Sequence, residues 1–363
     1  MKATQQLHEL GQSLWLDNIT RGILDDGTLR RYIDELSVTG LTSNPTIFDH
    51  AIRNSTLYDE AIAAPAGNAR SPEALFVDLA LADLARAADL FAPVHAASGG
   101  VDGWVSMEVS PLLVDDAKAT IREAANLHAL AKRRNLFIKI PGTPAGTKAI
   151  EESIFAGVPV NVTLLFSREQ YLASAEAYMR GIERRIAAGL DPKVTSVASL
   201  FVSRWDVAVA AKVPAQLHNK LGIAIAQRTY RAYCELRASA RWQSLERAGA
   251  RLQRLLWAST GTKDPAAPDT LYVQALAAPD TIDTIPDKTL LAFAAHGKLG
   301  PPMAADGADA EGVLAAFTAA GIDVDALAHD LQLQGGAAFA KSWHDLMGCI
   351  SDKRRALVQP AHG

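Results

Sequence analysis

Along the chain, short runs of β-prone apolar residues interrupted by single polar ones alternate with long alanine-rich stretches whose apolar residues recur every three or four positions. The first pattern marks strands, and the second marks amphipathic helices. Eight runs carry the strand pattern: Ser13–Asn18, Val38–Asn44, Gly103–Val109, Leu136–Pro141, Val160–Leu165, Thr195–Val202, Leu252–Ser259 and Asp280–Ile285. Segments between them, such as AKATIREAANLHALAKRRN and REQYLASAEAYMRGIERRIAAG, keep helical spacing. Eight strands separated by helices predict a parallel sheet, and at that count its natural closure is a (β/α)8 TIM barrel of the α/β class. The rival, a doubly wound open sheet, calls for a Gly-x-Gly-x-x-Gly turn after an early strand. The chain carries no such turn.

Additional helices are expected on the N-terminal side, over Pro72–Phe91 before the third strand, and at the C-terminus. There Phe339, Trp343, Leu346 and Met347 fall on one helix face, which reads as packing against the barrel rather than substrate contact. The stretch AASGGVDG reads as a turn-rich loop, and DKRRALVQPAHG as a solvated, frayed end. Residues 1–363 are thus expected to form a single barrel domain, with a C-terminal tail within 346–363.

Strand side chains alternate between faces, so each run divides into a helix-facing and an interior set. In LFIKIP, Leu136, Ile138 and Ile140 oppose Phe137 and Lys139; in VNVTLL, Val160, Val162 and Leu164 oppose Asn161 and Thr163. In VSMEV the apolar set opposes Ser106 and Glu108, in LWLDN it opposes Trp15 and Asp17, and VTGLTSN puts Thr42 and Asn44 together. Interior positions turn polar toward the carboxyl ends of the strands, where active sites of this fold are built. Asp17, Asn44, Glu108, Lys139, Asn161, Thr163, Ser199 and Ser259 are therefore expected to share one mouth.

Composition narrows the function. At 363 residues, 49% hydrophobic and 21% charged, the chain has the balance of a globular protein with a large core. A net charge of −4 with no basic block argues against nucleic acid as a partner. The N-terminal MKATQQLHEL lacks the apolar core of a secretory signal, and no run approaches the roughly 18 apolar residues that a membrane span needs. Cys234 and Cys349 match no metal or redox spacing, so a reducing, cytoplasmic setting is the default. The nine histidines are scattered singly, which leaves a zinc site little support.

A lysine seldom lies inside an apolar strand without a partner or a task. A neutral amine attacks a ketone to give an imine, an electron sink for cleavage of the adjacent C–C bond. Free lysine, with a pKa of about 10.4, holds little neutral amine near pH 7. Apolar neighbours such as Phe137 and Phe201 favour the uncharged form, whereas a fixed ion pair with Glu108 opposes it. Glu108 must then be held on a water or be protonated during part of the cycle. Asp17 and Glu108 suit proton transfer, and Asn44, Asn161, Thr163 and Ser199 suit the hydroxyls of a sugar. The loop ASTGTKDP brings Ser259 and Lys263 to the end of the seventh strand, where barrels often bind phosphate, and Arg204 adds a fork-shaped donor.

In order along the chain stand GLTSNPTIF, VSMEVSP, IKIPGTPAG, VNVTLLFS, SVASLFVSRWD and LWASTGTKDP. By these motifs nearly the whole chain resembles the transaldolases, class I aldolase-type enzymes of the pentose phosphate pathway. The resemblance implies a metal-independent transferase that needs no cofactor. Its expected partners are sugar phosphates, with neither nucleic acid nor membrane, and its expected state is a monomer or homodimer. It implies Lys139 as the Schiff-base residue, Glu108 and Thr163 holding a catalytic water, and Asp17 relaying protons. Asn44, Asn161 and Ser199 are implied to hold the dihydroxyacetone portion, with Arg204 and Ser259 at the phosphate. Many members carry an arginine where Gly261 stands here, and Lys263 is expected to replace its charge as a point contact. Phe201 matches the phenylalanine of transaldolases, where related fructose 6-phosphate aldolases carry tyrosine.

Overall fold

The computed structural model of the chain describes residues 1–64 and 70–358. Of the expected C-terminal tail, residues 359–363 lie outside the described residues.

All eight expected strands form, β4 and β5 with the expected bounds and the other six somewhat shorter than their sequence runs: β1 Ser13–Asp17, β2 Val38–Thr42, β3 Val105–Glu108, β4 Leu136–Pro141, β5 Val160–Leu165, β6 Ser196–Phe201, β7 Arg254–Ala258 and β8 Ile282–Ile285. They pair in parallel in the order β2-β1-β8-β7-β6-β5-β4-β3. A parallel bridge from Gly40 to Trp104 joins the two edges, with Leu41 N donating to Trp104 O at 2.9 Å. Closure removes the free edges that an open sheet would leave unpaired. The fold is therefore the (β/α)8 barrel, with a helix at Ala3–Glu9 before β1 and another at Pro72–Ala97 before β3.

Strand ends are trimmed where a side chain is recruited elsewhere. Asn44 leaves β2 because its Oδ1 accepts from Ile47 N at 3.0 Å, capping the helix Pro45–Arg53, whose first residue is the proline. The interior floor is aromatic: Phe137 stacks on Trp104 with centroids 4.1 Å apart, and Trp15 lies 6.2 Å from Phe137. A Cβ on Gly40 would stand 2.7 Å from both the Trp15 ring and Trp104 O, so only glycine lets the barrel close over that indole.

The last helix runs from Val324 to Val358, 35 residues and about 50 Å at 1.5 Å per residue. Residues 352–358, expected to fray, continue it, because Lys353 Nζ donates to Ser55 O and to Asp59 Oδ1 at 2.8 Å. No single helix among the described residues is long and apolar enough to cross a membrane.

On β8, Asp283 points away from the interior and is wholly buried behind the barrel wall. Its Oδ1 is 2.7 Å from Thr260 Oγ1, and its Oδ2 meets no donor. Burial pushes the carboxyl from 3.8 up to about 7. A folded pKa above the unfolded one adds stability that is complete below about pH 3.8 and gone above about pH 7. At about 1.4 kcal/mol per pH unit, roughly 4 kcal/mol is lost across that window. Urea unfolding of Asp283→Asn between pH 4 and 8 should therefore show the difference from wild type moving in the variant's favour up to about pH 7, then levelling. Parallel profiles would refute the buried-acid account.

Candidate active site

The strand carboxyl ends converge on a cavity of about 120 Å³ lined by Asp17, Asn44, Lys139, Thr163, Arg204 and Ser259, among others. Ile138 and Ile140 turn to the helices, which leaves Lys139 facing inward, 5% exposed. Its Nζ donates to Ser43 O at 2.9 Å and to Glu108 Oε2 at 3.3 Å. The Ser43 carbonyl is free to accept because the chain has left β2 and has not yet entered the helix capped by Asn44. With its oxygen committed to the cap, Asn44 has its amide NH2 left for the cavity.

Glu108 pairs with Lys139, yet its pKa is raised; burial is the largest cause, and the Lys139 charge opposes it without cancelling it. Desolvation of the carboxylate thus outweighs the ion pair. Glu108 Oε1 and Thr163 Oγ1 are both buried with no protein partner, so both keep hydrogen-bonding capacity for a small polar group. Asp17, half-buried at the mouth, accepts from Thr42 Oγ1 at 2.8 Å. Since that proton is used, Thr284 Oγ1, 2.7 Å from Thr42 Oγ1, must be the donor of the second bond. Asp17 is also raised, by burial first, against the lowering effects of Lys139, Thr42 and Lys263. Two carboxyls held above the ordinary range on either side of one amine can donate protons as well as accept them.

Depth sorts the remaining residues. Asn161 is wholly buried: its Oδ1 accepts from Ser199 Oγ at 2.7 Å, and its Nδ2 donates to Ser106 Oγ at 3.2 Å. It lies beneath the cavity lining and fixes Ser199, which does line it. Phe137, expected beside the amine, belongs to the aromatic floor one layer down. The apolar wall nearest the amine comes instead from the last helix: the Phe339 ring centroid lies 5.9 Å from Lys139 Nζ and 5.8 Å from Arg204 Cζ. The expectation that this whole stripe only packs is therefore corrected for Phe339, while Trp343 does pack, edge-on to Phe76 at 5.3 Å. Gln332 Nε2 ties that helix to Gly142 O and Leu164 O at the ends of β4 and β5. A Cβ on Gly335 would meet Leu164 Cδ2 at 2.9 Å and an Arg204 guanidinium nitrogen at 3.3 Å, so glycine allows the close approach.

At the rim, Arg204 lies over Phe201, 5.0 Å from its centroid, and is in no ion pair among the described residues. Burial lowers its pKa, and Glu108 opposes this. Ser259 Oγ is 2.9 Å from Ser203 Oγ. Lys263 is exposed, but its Nζ folds back to 3.7 Å from where a Cβ on Gly261 would sit. A larger cavity of about 820 Å³ opens at the opposite end of the barrel, near Ser13, Asp102 and Arg254. There Arg254 donates to Ser13 Oγ and Thr281 O at 2.7 Å and Trp15 Nε1 donates to Asp102 at 2.8 Å, while Gln12 Oε1 and Thr39 Oγ1 have no partner among the described residues. It is the smaller one that holds Lys139 and Asp17. Ser43, Thr284 and Phe339 fall outside the set expected at the mouth, and Thr42 is grouped with Asn44 but given no role. The two threonines stand at polar strand ends and were open to the same alternation argument, whereas a backbone carbonyl leaves no sequence signal.

The chain is similar to known proteins over nearly its whole length. The family profile described as Transaldolase/Fructose-6-phosphate aldolase matches residues 14–350. A transaldolase of Arthrobacter sp. (strain FB24) is 44% identical over 356 residues, covering 96% of each chain. One from Frankia alni is 43% identical over 357 residues, again 96% of each. A transaldolase of Neisseria gonorrhoeae is 41% identical over 348 residues, 96% of this chain and 99% of that one.

Proposed function

The chain belongs to the transaldolase/fructose-6-phosphate aldolase family, and we infer that it transfers a dihydroxyacetone unit from sedoheptulose 7-phosphate to glyceraldehyde 3-phosphate. The products are erythrose 4-phosphate and fructose 6-phosphate, and the reaction is reversible. The observation that carries this reading is the enclosed Lys139 amine, 3.3 Å from Glu108 and sharing its cavity with Asp17.

In the mechanism we propose, Glu108 takes the proton of Lys139. The exchange leaves two neutral groups where a charged pair is poorly solvated, so the ion pair becomes a route to the nucleophile instead of an obstacle. The freed amine attacks the ketose carbonyl at C2, and loss of water from the carbinolamine gives the imine. Glu108 and Thr163, with their unused hydrogen-bonding atoms, hold that water. Asp17 accepts the C4 hydroxyl proton; the C3–C4 bond breaks, its electrons enter the enamine, and the first aldehyde leaves. The acceptor aldehyde adds by the reverse steps, and hydrolysis frees the amine.

Asn44 and Ser199 suit the hydroxyls of the bound three-carbon unit, with Asn161 fixing Ser199 from below. Arg204, Ser259 and Lys263 suit the phosphate, Lys263 supplying a charge beside Gly261. Arg204→Lys should raise KM for the phosphorylated substrates about tenfold to a hundredfold, with a smaller change in kcat, because one charge remains but the paired donors do not. Steady-state kinetics on both substrates checks this. Phe201, an apolar ring with no hydroxyl to hold water, supports transfer over release of free dihydroxyacetone.

The test is borohydride reduction in the presence of fructose 6-phosphate, which should leave a stable adduct on Lys139; intact, folded enzyme without an adduct would refute the reading. Turnover with and without glyceraldehyde 3-phosphate separates transfer from release. We propose the cytoplasm as the setting, in keeping with the unpaired Cys234 and Cys349, and a monomer or homodimer as the working state, which sedimentation distinguishes.

A further inference from the structure

The loop after β7 must hold Ser259 and Lys263 in place if they are to meet a phosphate. Ser259 has φ of +57°, a left-handed conformation that a non-glycine residue keeps only when its surroundings hold it. On one side Ser203 supplies the hold: its N donates to Ser259 O at 3.0 Å, and the two hydroxyls are 2.9 Å apart. On the other side stands Thr260, wholly buried, with Oγ1 2.7 Å from Asp283 Oδ1 and 3.1 Å from Thr284 O. Thr284 in turn reaches Thr42 and so Asp17, which ties the loop to the floor of the mouth.

A threonine hydroxyl has one proton, so it cannot donate to both of these oxygens. The arrangement is satisfied when Asp283 carries a proton and donates to Thr260, which then donates to Thr284 O. Burial, which pushes the acid up to about 7, supports that state near neutrality. Nothing else bonds the Asp283 carboxyl among the described residues, and its Oδ2 has no partner. This buried acid, outside the barrel interior, has the loop hydroxyl as its one polar contact.

We propose that Asp283 is a positioning residue for phosphate recognition, acting through Thr260 to set the Ser259–Lys263 loop from behind the barrel wall. The proposal rests on the phosphate role assigned above to that loop. Asp283 touches no substrate; it selects for phosphorylated sugars by holding the groups that do.

Borohydride trapping on Lys139 can be titrated with two ketoses, fructose 6-phosphate and dihydroxyacetone, which give imines with and without a phosphate. Thr260→Val, which removes only the hydroxyl, and Asp283→Ala should each raise the half-saturating concentration of fructose 6-phosphate by about tenfold or more, and leave that of dihydroxyacetone within about twofold. Asp283→Asn should restore the wild-type value, since an amide also hydrogen-bonds Thr260. Equal shifts for both ketoses, or no shift for either, would overturn the proposal, as would an asparagine variant as impaired as the alanine one. If Asp283→Ala does not fold, Thr260→Val decides. Wild-type enzyme trapped by neither ketose would instead refute the proposed function, so the two failures are distinct.

Discussion

Lys139→Ala should lower turnover by about 10⁵-fold or more and abolish borohydride trapping, because the cavity's other amine, Lys263, is exposed at the rim and not enclosed beside Glu108. The fold should survive. Lys139 lies above the packed aromatic floor of Trp15, Trp104 and Phe137, so its removal opens space at the mouth and not in a filled layer. The main stability question is Glu108, which loses its partner. An orphaned buried charge costs about 3–5 kcal/mol, but Glu108 is already raised by burial and can take up a proton instead. The penalty should therefore be small in mild acid and grow as pH rises, in line with a folded-state pKa above the unfolded one. Urea melts at pH 5 and pH 8 measure it. Lys139→Arg adds a control: it keeps a cation near Glu108, yet its guanidinium stays protonated and cannot attack. Appreciable turnover in the arginine variant would mean that charge, not nucleophilicity, is what the lysine supplies.

Period-two alternation made the barrel and most of its mouth legible in the chain, because the strands turn apolar side chains to the helices and most of them turn polar inside near their ends. Alternation assigns a face but not a depth. That is why Asn161 read like Asn44: one is bonded at both ends of its amide beneath the cavity, and the other lines it. It also missed Phe339, since a helical apolar stripe looks the same whether its partner is another side chain or an open mouth. Asp283 was hidden for the opposite reason. It is a polar residue on the face where helix packing calls for an apolar one, and only its contact with Thr260 in the folded chain explains it. The ion pair between Lys139 and Glu108 was foreseen as a difficulty; the folded chain adds that burial outweighs the pairing and raises Glu108, which favours the proton exchange proposed above.

Glu108→Gln tests that proton exchange directly. Glutamine keeps an oxygen able to accept from Lys139 Nζ, so the local packing should persist, but it cannot take the proton. Turnover should fall by about 10² to 10⁴-fold, the usual range for loss of a general acid–base group. Because the missing step precedes imine formation, the rate of borohydride trapping should fall by a similar factor, whereas Asp17→Asn should slow turnover while leaving trapping nearly intact. The pH profile should change as well. Asp17 and Glu108 both titrate above the ordinary carboxylate range, and Asp17 is among the causes that raise Glu108, so the acid limb of the wild-type profile belongs to the coupled pair. Removing Glu108 should leave a limb with a single acid, Asp17. If Glu108→Gln instead trapped fructose 6-phosphate at the wild-type rate, the proton from Lys139 would have to leave by another route, and Asp17, across the mouth, would be the one remaining acid in the cavity to receive it.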